Sequence, residues 1–350
     1  MENLLATADP PRKFFMVVVS LVVMLFVACG QRDQSGRPLP GKAVRIAVGG
    51  QSQLLYLPTV LTQELGFYED EGLNVELQDF SGGSKALQAL VGGSADVVSG
   101  FYDHTIQMQA EGRELIAFVS MLRFPGLVLV TSPQAAGKVA TIADLKGRIA
   151  GVTTAGSSTH MLLSYLLQRN GVRPDGVSIT AIGTAATAIA ALEHGKVDAA
   201  MMADPAFTLV LRRNPTVHVL ADLRHAQGVK RAFGSDTYPG SVLYATGDWI
   251  RGNRDTTQRL ARALVRTLEW MHKHSAQDIA DKAPAAFRGE DPALYVEALK
   301  HSMPMYSPDG LMAADGAESV RTLLAESIEK VRNAKIDLSK TYTNEFVNGR

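Results

Sequence analysis

Short apolar runs recur along the chain, each closed by glycine or a small polar residue and followed by a stretch with helical spacing. Ala43–Val48 alternates and ends at Gly49-Gly50, which predicts a strand entering a turn. Leu57-Pro58-Thr59 opens a helix through Leu65 that Gly66 stops. Asn74–Gln78 reads as a second strand and Lys85–Leu90 as a helix closed by Gly92-Gly93. Ala95–Ser99 then reads as a third strand. Strands alternating with helices predict a parallel sheet with right-handed crossovers. In such sheets ligands lie beyond the carboxyl ends of the strands. Here those ends are the loops Gly50–Tyr56, Phe80–Ser84 and Gly100–His104.

The second half repeats the plan. Arg148–Val152 predicts a buried strand, Thr153–Thr159 a hydroxyl-rich loop, and His160–Leu167 a helix that Gly171 ends. A loop of this kind turns backbone amides and hydroxyls toward one point, which suits an anion or a polar ligand head, or else simply caps the helix. Phe80–Leu90 with Gly93-Ser94-Ala95-Asp96 is echoed by Ile182–Leu192 with Gly195-Lys196-Val197-Asp198. Two lobes built alike would face each other across a cleft. Leu127–Val130 is expected to carry the chain to the second lobe and Tyr238–Ala245 to bring it back. Val177–Ala181, Ala199–Ala203 and Val217–Leu220 are further strands, and from Gly247 onward the pattern is helical.

Composition narrows the class. The 350 residues are 46% hydrophobic and 20% charged, enough for two lobes with cores. Lys+Arg and Asp+Glu both number 35, and no basic block points to nucleic acid. The single cysteine, Cys29, excludes a disulfide within the chain and a cysteine-based metal site. It follows an apolar run, Phe14–Ala28, of signal-peptide length behind Arg12 and Lys13. Phe26-Val27-Ala28-Cys29 resembles a bacterial lipobox, with Phe26 in place of the usual leucine. The expected organisation is a signal peptide over 1–28 and a lipidated tether over 29–42. Lobe I then takes 43–130 and 241–350, and lobe II takes 131–240.

Several motifs resemble those of the periplasmic solute-binding proteins of nitrate, sulfonate and taurine transport, which are related to the binders of thiamine-pyrimidine precursors. They are Val44–Ala47, Leu65-Gly66-Phe67-Tyr68 with Glu71-Gly72-Leu73, and Gly83-Ser84 with Gly93-Ser94-Ala95-Asp96. Asp144-Leu145-Lys146-Gly147 with Gly151-Val152, and Ala191-Leu192 with Gly195–Ala199, complete the set. The resemblance implies a type II periplasmic-binding-protein fold of the α/β class, two doubly wound lobes joined by two crossing strands. It also implies a monomer that closes on a small molecule and delivers it to an ABC permease with its ATPase. The alternatives are an enzyme of thiamine-pyrimidine biosynthesis, whose cysteine-rich motif is missing here, and a ligand-sensing lobe.

In a cleft binder, ligand contacts to both lobes exist only when the lobes close. The expected ligand contacts in the first lobe are Gln51, Gln53, Tyr56, Gly83, Ser84, Tyr102 and His104. In the second lobe they are Ser157, Ser158, Thr159 and Asp204. Asp103 and Asp204 either cap helices or meet a cationic group, and Tyr56 and Tyr102 either stack on the ligand or pack. No cofactor or metal is expected, and the ligand is a small anionic or heteroaromatic solute. The protein is expected in the periplasm, or else at the cell surface, held at the membrane as a lipoprotein through Cys29.

Overall fold

The computed structural model describes residues 43–349. The leader, Cys29 and the tether lie outside the described residues. Two five-stranded sheets organise the chain. The first contains β1 (Val44–Val48), β2 (Val75–Asp79), β3 (Val97–Phe101), β4 (Leu115–Ser120) and β10 (Ser241–Thr246), in the order β2-β1-β3-β10-β4. The second contains β5 (Leu127–Thr131), β6 (Ile149–Val152), β7 (Ser178–Ala181), β8 (Ala199–Ala203) and β9 (Val219–Asp222), in the order β7-β6-β8-β5-β9.

The two orders superimpose when β1 is matched to β6, β2 to β7, β3 to β8, β10 to β5 and β4 to β9. In each sheet the first strand pairs in parallel with the second and third, while the inserted strand, β10 or β5, runs antiparallel. The echo seen in sequence is therefore a repeat of the fold. Its anchor is an aspartate just before the third strand. Asp96 accepts from the Arg45 amide at 3.0 Å and pairs with the Arg45 guanidinium at 2.8 Å. Asp198 accepts from the Ile149 amide at 2.9 Å and pairs with Arg148 at 3.5 Å. Each ties the third strand to the start of the first.

Two features differ from the sequence reading. The strand Leu127–Thr131, expected within lobe I as far as Val130, pairs on both sides inside the second sheet, so the crossing precedes it. Leu115–Ser120, an almost unbroken apolar run without alternation, is a strand that periodicity does not single out. The other strands fall within about three residues of the expected bounds, Val217–Leu220 for instance being found at Val219–Asp222, and the chain after Gly247 is mainly helical as expected. The long helix Arg254–His272 packs its Leu260, Leu264 and Leu268 inward. The tail also reaches the second lobe. Glu297 forms an ion pair with Arg212, and Ser302 meets Asp204. No helix among the described residues is long and apolar enough to cross a membrane.

Candidate functional site

Two helix beginnings face one another between the sheets. One starts at Gly83, after β2 (helix Gly83–Val91); the other at Ser158, after β6 (helix Ser158–Arg169). The first amides of an α-helix have no partner within it and carry the positive end of its dipole. Glycine brings the two backbones close: a Cβ on Gly82 would lie 2.6 Å from Thr154 Oγ1. The hydroxyl of Ser84 meets Thr154 Oγ1 at 2.8 Å, and Ser158 Oγ donates to Asp103 Oδ1 at 2.8 Å. Leu54 N also donates to the Asp204 carbonyl at 2.9 Å. The lobes are thus closed directly on one another.

The space between the helix starts is small, ≈ 10 Å³ for the centre of a water-sized molecule, or room for about one water. Gln53, Tyr56 and Gly83 line it from the first lobe, and Thr153 with Ser157–Thr159 from the second. None of its lining side chains is cationic. The second-lobe hydroxyls are bonded to one another: Ser157 Oγ and Thr159 Oγ1 lie 2.7 Å apart, and Thr159 Oγ1 accepts from the Thr153 amide at 3.0 Å. This network fixes the loop.

Behind the gap lies a buried ionisable pair. Asp103 is fully buried at the start of the helix that follows β3 (Asp103–Ala110), held by Ser158 and, at 3.4 Å, by the Tyr238 hydroxyl. Burial pushes its carboxyl above the usual carboxylate range, while His104, Ser158 and Tyr238 work against that shift. His104 beside it is also fully buried. Burial holds its imidazole below the ordinary value, and Asp103 opposes the effect. Its Nδ1 lies 3.3 Å from the Tyr244 hydroxyl, and its Nε2 has no partner at hydrogen-bonding geometry. That edge of the ring faces Gly83, whose added Cβ would meet Cε1 at 3.1 Å, and the Gly156 backbone across the cleft.

The expected site residues divide into three sets. Gln53, Tyr56, Gly83, Ser157, Ser158 and Thr159 converge on the gap, with Ser84 and His104 beside it. Gln51 stays on the outer loop, its backbone N–H donating to Asp79 Oδ1 at 2.7 Å. Tyr102 and Asp204 are turned to other work. The Tyr102 hydroxyl meets Thr341 Oγ1 at 2.6 Å, away from the gap. Both oxygens of Asp204 are occupied: Oδ1 by the Thr208 amide and hydroxyl, Oδ2 by Arg224 and Ser302, each at 2.9 Å. Arg224 is held further by Asp222 and lies over the Phe207 ring. Thr153 and Thr154, within the hydroxyl-rich loop, and Asp103, next to His104, are contacts absent from the expected set.

Comparison with known proteins agrees with this architecture. The chain is 39% identical to a protein of Bordetella bronchiseptica RB50 of solved structure, covering 88% of this chain and 96% of that one, with a TM-score of 0.85. The alkanesulfonate-binding protein SsuA of Xanthomonas axonopodis pv. citri, solved with MOPS bound, shares the fold. Its TM-score is 0.68 at 19% identity, over 87% of this chain and 99% of that one. YtlA of Bacillus subtilis (strain 168), named for binding without a stated ligand, is 23% identical over 90% of this chain and 91% of its own length. The family model described as NMT1/THI5 like matches residues 55–277, which hold both facing helix starts, and the chain belongs to that family.

Proposed function

We propose that this chain is the solute-binding protein of an ABC import system. It captures a small solute between its lobes, closes over it, and presents the closed form to a membrane permease with a cytoplasmic ATPase. The observation that carries the reading is the meeting of Ser84 with Thr154 and of Ser158 with Asp103, which joins the two helix starts across the cleft. A solute entering there exchanges these lobe-to-lobe bonds for its own contacts to both lobes, so binding and closure are one equilibrium. Relatives named for binding, among them a sulfonate binder and the nitrate-binding protein NrtA of Synechocystis PCC 6803, support the same reading.

The protein acts by binding rather than catalysis. It is a monomer in the periplasm, held at the membrane through a lipid on Cys29. Lobe I comprises the first sheet with the C-terminal helices, and lobe II the second sheet. The testing experiment titrates purified protein with candidate solutes and follows binding, small-angle scattering and the solute's chemical fate. One solute bound per chain, a particle that stays compact and unchanged solute are expected. Sustained conversion of the solute would overturn the reading.

A further inference from the structure

Gln53 lines two cavities. One is the small gap already described. The other is a pocket of ≈ 850 Å³ between the second-lobe helices Ala185–Glu193 and Ala206–Arg213 and the segment Ala286–Tyr295 of the tail. Its size falls within the roughly 300–1,000 Å³ of pockets that hold organic ligands. Ile189, Leu209, Phe287 and Leu294 supply apolar walls. Three arginines also line it. Arg212 is taken by Glu297, and Arg213 by Glu193 at 3.6 Å. Arg288 is half-buried and has neither ion pair nor hydrogen bond among the described residues. Of the acids on the same wall, Asp204 is paired with Arg224 at 2.9 Å, Asp291 caps a helix by accepting from the Leu294 amide at 3.0 Å, and Glu290 is exposed. The inner gap offers no cationic side chain, whereas the outer pocket offers an uncommitted one beside an aromatic and aliphatic surface.

We propose that the outer pocket holds the apolar body of an organic acid, with its acid group against Arg288 and its far end at Gln53. This rests on the interlobe reading above and adds where the solute's charge is read. It also names the solute class: an acid with an aromatic or short alkyl body, not an inorganic oxyanion. A guanidinium on a partly dry wall makes charge-assisted hydrogen bonds to a carboxylate or sulfonate, and the walls take apolar area from water. Arg288 and Phe287 lie beyond residues 55–277, so this contact belongs to the tail and not to the stretch that the family model matches.

The test is calorimetric titration of the full chain with benzoate, hexanoate and nitrate. It is repeated on Arg288→Gln, Arg288→Lys, Leu209→Trp and Gly83→Val, with a thermal melt for each. Benzoate or hexanoate should bind and nitrate should not. Arg288→Gln should weaken the acid at least about tenfold, Arg288→Lys should recover part of the loss, and Leu209→Trp should abolish binding, all with unchanged melts. The proposal is overturned if neither acid binds, if nitrate binds as well as the acids, or if the three outer variants bind like the parent. Acid binding blocked by Gly83→Val alone overturns the outer pocket and leaves the interlobe reading standing. Failure to bind any small solute would count against that reading as well.

Discussion

Ser158 of the second lobe donates its hydroxyl to Asp103 of the first at 2.8 Å, and both side chains are buried. A buried carboxylate that loses a donor keeps its desolvation cost. Ser158→Ala should therefore destabilise the closed protein by about 1–3 kcal/mol, read as a lower urea midpoint with unchanged slope. Ser158→Trp should abolish solute binding while each lobe still folds. Retained affinity in Ser158→Trp would place the solute away from this helix start.

Gly82 leaves no room for a side chain between the lobes, its extended backbone lying against the Thr154 side chain. Gly82→Val should hold the lobes apart without disturbing either sheet. Scattering should show a larger radius of gyration, and far-ultraviolet circular dichroism should be unchanged. A compact Gly82→Val protein would show that Thr154 yields and that closure does not depend on this contact.

His104 ties stability to pH. Its folded imidazole titrates below the ordinary 6.5, mainly because of burial, and half-buried His160 shifts the same way. Between the folded value and about 6.5 the unfolded chain binds more protons, so stability falls as pH drops through that window. Asp103, which faces His104 together with Tyr244, has the opposite sign. Its raised carboxyl value removes stability as pH rises from about 4. Urea midpoints should decline from pH 7 to pH 5.5, by at most about 1.4 kcal/mol per pH unit for each histidine. The decline should be smaller in His104→Gln. An equal slope in that variant would assign the effect elsewhere.

Asp204 binds Arg224 at 2.9 Å with both groups buried, and it also holds Thr208 and Ser302. Removing one partner of such a pair strands the other. Asp204→Ala should cost about 3–5 kcal/mol by chemical denaturation. A loss below about 1 kcal/mol would mean that Arg224 finds enough compensation in Asp222 alone.

The repeat was legible because its markers are local. Gly93 with Asp96 and Gly195 with Asp198 recur at the same spacing, and both aspartates tie a third strand to a first. The helices after β2 and β6 were legible for the same reason, since small residues and hydroxyls announce them, although each begins two residues earlier than expected, at Gly83 rather than Lys85 and at Ser158 rather than His160. The sheet that takes Leu127–Thr131 was not legible, because an apolar run carries no record of its partners. The side-chain directions of Tyr102 and Asp204 are settled by Thr341 and Ser302, far away in sequence. The outer pocket depends on the tail folding back onto the second lobe, which helical spacing alone does not encode.

The most direct measurement is amide hydrogen exchange with and without a bound solute, read over residues 82–86 and 153–159 together. A shared guest between two helix beginnings should slow exchange in both segments at the same solute concentration. Slowing in one segment alone, or in neither while the solute is bound, would contradict it.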